Sequence, residues 1–116
     1  MTGKKPTVYV LDSYAVLAYL EGEPGQERVR ELLEQAAGQH CRLYMSQVNL
    51  GEVLYIVERE RGLAKAQETL ARIDELPVEI IDAGRAEVLA AAHLKADCPV
   101  AYADCFAAAL ALEKEA

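Results

Sequence analysis

The chain has 116 residues, of which 53% are hydrophobic, and its 19 acidic and 12 basic residues give a formal net charge of −7. This length allows one domain with a sizeable core, and no apolar run is long enough to suggest a membrane span. The acidic balance argues against a protein that wraps nucleic acid by bulk attraction, because neutralising phosphates requires Lys and Arg. It does not exclude an enzyme in which a metal ion screens clustered carboxylates.

The first predicted element is a buried strand that ends on a carboxylate. Val8 to Leu11 form an unbroken apolar run, which suits a strand covered on both faces. Asp12 follows directly, and apolar residues at helical spacing begin soon after it. This order places Asp12 at the carboxyl edge of a sheet, where open α/β folds bind their ligands.

The rest of the chain alternates between helical and strand patterns. In chain order the patterns predict a helix from Pro24 to Gly38, a strand over 42–46, helices over 47–60 and 63–75, a strand over 77–82, and helices over 83–96 and 103–115. Alternation of this kind predicts an α/β fold, a parallel sheet with helices on both faces. Asp82 is expected to cap the helix that begins at Ala83.

Three carboxylates lie among apolar residues in the sequence. Asp12 ends the first strand, Glu52 lies within the helix after the second strand, and Asp104 opens the last helix. Such an acid is costly to bury unless it is paired, protonated or bound to a cation. Three of them near one edge of a sheet would repel one another, and Mg²⁺ or Mn²⁺, which prefer oxygen ligands, would relieve that repulsion.

Each acid also has a purely structural interpretation. Asp12 and Asp104 suit the cap or the first turn of the helices that follow them, and Glu52 suits an exposed helical position. The two histidines do not support a His-based nuclease, since His40 lies in a loop and His93 is expected in the core or an interface. The three cysteines form no CxxC pair, so we expect reduced packing residues and neither a disulfide framework nor a zinc site.

Three segments resemble the successive signature segments of PIN-domain ribonucleases, in particular the toxins of VapBC-type toxin–antitoxin pairs: LDSYAVLAYL, SQVNLGEVLYIVERERG and AAHLKADCPVAYADCFAAALA. The resemblance runs across nearly the whole chain. It implies a PIN-like three-layer α/β/α fold whose catalytic acids are Asp12, Glu52 and Asp104. It further implies that Asp12 and Asp104 bind Mg²⁺ or Mn²⁺ directly, and that the hydroxyl of Ser13 helps to order the site.

The resemblance also implies a function and partners. Such toxins are metal-dependent endoribonucleases of type II toxin–antitoxin pairs, which hydrolyse RNA phosphodiester bonds in the cytoplasm. They are typically homodimers, have no membrane partner, and are neutralised by a cognate antitoxin that covers the acidic groove. Arg85 and Lys95 are candidates for holding the RNA backbone near the edge of the site.

One departure from the family pattern affects both fold and function. The family usually carries a fourth acid on a further strand, in a segment of TGD type, and this sequence stops at Ala116 before it. Either the sequence is truncated, or this member lacks the last one or two strands of the family's sheet. In both cases we expect residues 1–116 to form a single PIN-like domain of about three strands and about six helices, without the usual C-terminal strand or strands. The first strand would then keep an unpaired edge. The alternative function is an incomplete or catalytically impaired PIN-like scaffold that acts by binding a protein.

Overall fold

The computed structural model describes residues 6–116, in which there are three strands and six helices. The strands are β1 (Thr7–Val10), β2 (Cys41–Ser46) and β3 (Glu79–Ile81). The helices are α1 (Ser13–Glu21), α2 (Gln26–Ala37), α3 (Gln47–Arg61), α4 (Leu63–Asp74), α5 (Arg85–Asp97) and α6 (Tyr102–Lys114). The predicted order of elements is confirmed. None of these six helices has the length and apolar character that crossing a membrane requires.

The strands form one parallel sheet in the order β1-β2-β3, with β2 in the centre. Val10 of β1 pairs with Tyr44, and Ser46 pairs with Ile81 of β3. The backbone N–H of Leu11 donates to the carbonyl oxygen of Tyr44 at 2.8 Å, so hydrogen bonding continues past the last residue of β1. Within residues 6–116, β1 therefore lies at an edge of the sheet, as expected.

Helices cover both faces of the sheet. Neighbouring residues of β2 point to opposite faces, so their contacts show which helices lie on each side. Leu43 and Met45 belong to a large hydrophobic cluster to which α1, α2, α3 and α4 also contribute. Tyr44 lies between them in sequence, is also buried, and has the Lys114 ammonium of α6 at 4.7 Å from its ring centroid. A second, smaller cluster joins α5 to α6 through Ala91, Cys105 and Phe106. The predicted three-layer α/β/α arrangement is confirmed.

Helices α1 and α3 begin directly after the strands that precede them. The Asp12 side chain caps α1 by accepting a hydrogen bond from the Ala15 N–H, and Ser46 Oγ caps α3 by accepting one from the Val48 N–H at 3.1 Å. Helix α1 then ends at Gly22, whose φ of +67° is a left-handed conformation that favours glycine. These short connections place the first turns of α1 and α3 at the carboxyl ends of β1 and β2.

The prediction for the start of the helix after β3 is wrong. Helix α5 begins at Arg85, two residues later than expected, and Gly84 occupies the N-cap position instead of Asp82. The Gly84 N–H is satisfied by Glu87 Oε1 at 2.9 Å, so a carboxylate of the first turn folds back to cap the helix. Asp82 is exposed and instead accepts a hydrogen bond from Gln47 Nε2 at 3.3 Å.

Cys98 was expected to be a packing residue and His93 to lie in the core or in an interface, and both side chains are exposed in this chain. Cys98, just after α5, is exposed, whereas Cys41 and Cys105 are buried as predicted. His93 of α5 is also exposed and takes no part in the core of this chain. The reason is the position of α5, which packs chiefly against α6 and buries only Ala91.

Candidate functional site

Asp12 and Asp104 line the same open depression beside β1. Its volume is about 420 Å³, and three residues of β1 together with three alanines of α6 supply most of its wall. Both carboxylate side chains are half-buried. In the described part of the chain, no basic residue lines this depression. The fold thus brings together two acids that are far apart in the sequence.

Asp12 contributes to the fold and to the depression at once. Its Oδ1 accepts a hydrogen bond from the Ala15 N–H at 2.8 Å, which confirms the capping interpretation. A carboxylate offers about four lone-pair sites on its two oxygens, so one capping bond leaves acceptor capacity for another partner. Capping also fixes the direction of the side chain, because the bonded oxygen must stay at the end of α1. The structural and the ligand roles of Asp12 are therefore compatible.

Asp104 lies in the first turn of α6, as its structural interpretation predicted. Its backbone N–H donates to the carbonyl oxygen of Ala101 at 3.0 Å. The rings of Tyr102 and Phe106 meet edge to face on this turn, with centroids 5.1 Å apart. The amino end of a helix carries partial positive charge, which stabilises a carboxylate there. Asp104 is thereby kept beside the depression by a well-packed helical turn.

Glu52 is connected to this region through Ser13. The Ser13 hydroxyl donates a hydrogen bond to Glu52 Oε1, and the Ser13 side chain is fully buried. Glu52 is half-buried, so the interpretation that it is simply an exposed helical residue is wrong. Because Ser13 follows Asp12 directly, the bond ties α3 to the start of α1. This contact matches the ordering role that the resemblance implied for Ser13.

The three acids do not form a ready-made metal cluster. Across residues 6–116, no group of three His, Cys, Asp or Glu side chains is arranged to hold a metal ion. The chemistry of the donor set still fits a hard cation, since Mg²⁺ keeps several waters and is bound through one or two carboxylates. No basic residue in that range forms a salt bridge with Asp12, Glu52 or Asp104. The carboxylates of Asp12 and Asp104 thus offer oxygen donors of the kind that a hard divalent cation accepts.

The sequence analysis missed Asn49, which contacts the same region from α3. Its side chain is fully buried, and its Nδ2 donates to the carbonyl oxygen of Ala103 at 3.1 Å. Ala103 directly precedes Asp104, and Asn49 lies one helical turn before Glu52. The available signal was an amide side chain among apolar residues three positions before the acid. Asn49 thus connects the helix of Glu52 to the helix of Asp104.

The other candidate residues and depressions lie elsewhere. Arg85 and Lys95 are exposed on α5, and neither lines the depression that Asp12 and Asp104 share. A larger depression of about 610 Å³ lies near the amino ends of β2 and β3, and among residues 6–116 only Glu79 contributes a carboxylate side chain to its wall. A small pocket of about 120 Å³ between β3, α5 and α6 includes Asp82 and Glu87, which already form hydrogen bonds within the fold.

Comparisons with solved structures identify chains of the same fold. VapC20 of Mycobacterium tuberculosis, described as a sarcin-ricin loop cleaving toxin, superposes with a TM-score of 0.70 at 15% sequence identity, over 94% of this chain and 84% of that one. VapBC2 of Rickettsia felis, solved with a DNA fragment from its promoter, gives a TM-score of 0.74 at 19% identity, over 95% of this chain and 84% of that one. At these identities the similarity establishes the fold. A sequence comparison with curated proteins finds no significant match.

A comparison with family models supplies the family. The model described as the PIN domain matches residues 9–116, which include the second half of β1, the strands β2 and β3 and the helices α1 to α6. The match therefore covers Asp12, Glu52 and Asp104, the acids that the resemblance had singled out. This protein belongs to the PIN-domain family.

Proposed function

We propose that this chain is a Mg²⁺- or Mn²⁺-dependent endoribonuclease that acts in the cytoplasm as the toxin of a type II toxin–antitoxin pair. The observation that carries the proposal is that Asp12 and Asp104 line the same depression. None of the basic residues within 6–116 lines that depression. Membership of the PIN-domain family and a fold shared with VapC20, described as a toxin that cleaves the sarcin-ricin loop, support RNA as the substrate.

The residues of the site have different roles in hydrolysis. A bound divalent ion would supply positive charge that activates water and stabilises the charge developing on the scissile phosphate. Asp12 and Asp104 would hold that ion, each kept in place at the start of a helix. Glu52, oriented by the Ser13 hydroxyl, would accept a proton from the attacking water as the water oxygen bonds to phosphorus. The bond from phosphorus to the leaving ribose oxygen breaks, and that oxygen takes a proton from solvent.

Removal and return of the metal tests this proposal. After treatment with EDTA and dialysis, the chain is expected to lose cleavage of a structured RNA, and Mn²⁺ is expected to restore it. Isothermal titration of the metal-free chain with Mn²⁺ is expected to show saturable binding. The physical reason is that two half-buried carboxylates facing one depression repel each other until a cation is bound.

A binding scaffold is the second candidate, and a specific observation favours it. Throughout residues 6–116, no three His, Cys, Asp or Glu side chains are grouped so that they could hold a metal ion. A scaffold would show neither Mn²⁺ binding nor metal-dependent RNA cleavage, while still binding a partner protein. That pair of negative results would contradict the nuclease proposal and support the scaffold.

The proposal extends to a homodimer and to a cognate antitoxin. Helices α5 and α6 present several exposed apolar side chains, among them Val88, Leu89 and Leu112. Apolar surface of this kind marks interaction sites. A depression with two carboxylates also suits an antitoxin segment that carries a basic side chain. Light scattering of the purified chain is expected to give about twice the mass of one chain, and the mass of a single chain would contradict the homodimer.

A further inference from the structure

The second turn of α3 contacts the elements that carry both predicted metal ligands. Glu52 accepts a hydrogen bond from Ser13, the residue after Asp12, and Asn49 donates one to Ala103, the residue before Asp104. Asn49 and Glu52 are three positions apart, so they project from neighbouring points on one side of the helix. A single turn of α3 is thus bonded to the start of α1 and to the start of α6.

We propose that Asn49 is a positioning residue that sets the place of Asp104 relative to Asp12 and Glu52. The inference rests on the proposed metal-dependent function of this site. The Asn49 amide holds the carbonyl oxygen of Ala103 at 3.1 Å, and the next residue along the backbone carries the Asp104 carboxylate. If α6 moved relative to α3, the hydrogen bond between Asn49 and Ala103 would break before the distance between the acids changed appreciably.

The unsatisfied oxygen of Asn49 is a second observation in favour of this role. Asn49 Oδ1 is buried and has no hydrogen-bond partner among the described residues. An unpaired buried acceptor is destabilising, and its buried neighbours on α3, Leu50 and Val53, are apolar. Turning the amide over would bring Oδ1 against the Ala103 oxygen, which is also an acceptor, so the orientation is fixed. A polar side chain at this position is therefore poorly explained by stability and well explained by the bond it makes.

The test compares Asn49 with Thr69, a matched buried donor far from the acids in sequence. The Thr69 hydroxyl of α4 donates to the carbonyl oxygen of Lys65 at 2.8 Å, and its side chain is also buried. Asn49→Leu and Thr69→Val each remove one buried donor to a backbone carbonyl. Titration of the metal-free chains with Mn²⁺ is expected to give a Kd about tenfold higher for Asn49→Leu, the size of effect seen when partners that orient metal ligands are lost. For Thr69→Val the Kd is expected to equal that of the wild type.

A second variant decides the matter if Asn49→Leu fails to fold. Asn49→Ser is too short to reach Ala103, and its hydroxyl can bond within its own helix, so it removes the contact between α3 and α6 without leaving a large apolar side chain at the interface. It is expected to weaken Mn²⁺ binding to a similar extent. Wild-type affinity in the folded Asn49 variants would overturn the positioning role alone, because the wild-type protein would still bind the metal. Absence of Mn²⁺ binding by the wild type would overturn the proposed function and this inference with it.

Discussion

Replacing Asp12 or Asp104 with Asn is expected to lower metal-dependent RNA cleavage by on the order of a hundredfold or more. Asn has nearly the shape of Asp, and it is an equally good N-cap, so Asp12→Asn preserves the start of α1. What the substitution removes is the charge of one of the two carboxylate side chains that line the depression. The initial cleavage rate in Mn²⁺, measured together with the Mn²⁺ Kd and the melting temperature, checks this expectation.

Asp82 provides a matched control for these substitutions. It also follows a strand of the same sheet, but it is exposed, bonds to Gln47 and lies outside the depression. Asp82→Asn is expected to change the cleavage rate by less than about twofold. Wild-type rates in both Asp12→Asn and Asp104→Asn would contradict the nuclease assignment. Equal losses in all three variants would instead indicate a general electrostatic effect of the acidic surface.

The order of strands and helices could be predicted because it follows from periodic hydrophobic patterns. The start of α5 could not be predicted, because two carboxylates were available to cap that helix. The run from Val8 to Leu11 predicted β1 to within one residue. After β3, both Asp82 and Glu87 were available as caps, and the sequence pattern does not say which backbone N–H each will reach. Glu87 bonds the Gly84 N–H three positions back, which starts the helix two residues later than expected.

The positions of acids at strand ends and helix starts could be predicted from the sequence. The hydrogen bonds that side chains of the candidate site make to backbone groups could not. Asp12 and Asp104 could be paired because each opens a helix at the same sheet edge. Asn49 bonds to a backbone carbonyl oxygen 54 positions away. Every residue has such a group, so the residue types do not indicate which one is the partner. Glu52 was expected beside the other acids, but it is not among the residues that line the depression. The family resemblance implied an ordering role for Ser13, and the structure identifies Glu52 as the residue that its hydroxyl bonds.

Met45→Ala is expected to lower the free energy of unfolding by about 2–5 kcal/mol, a large share of the roughly 5–15 kcal/mol that holds a typical domain together. Met45 is fully buried on the central strand β2, within the cluster to which α1, α2, α3 and α4 contribute. Truncation would leave a cavity that surrounding elements cannot close without disturbing the sheet. Urea denaturation followed by circular dichroism measures the loss.

Leu63→Ala is the matched control, since it removes a similar apolar volume from a side chain of α4 that is 57% exposed and lies outside the proposed dimer surface. It is expected to cost less than about 0.5 kcal/mol of unfolding free energy, and equal losses in the two variants would contradict the assignment of the core.

Comparing Met45→Ala with Asp12→Asn also distinguishes a loss of stability from a loss of metal binding. Folded Met45→Ala is expected to keep the wild-type Kd for Mn²⁺, because neither acid of the depression changes. Asp12→Asn is expected to show the opposite behaviour, weak Mn²⁺ binding with little loss of stability, because its cap survives while a ligand charge is lost.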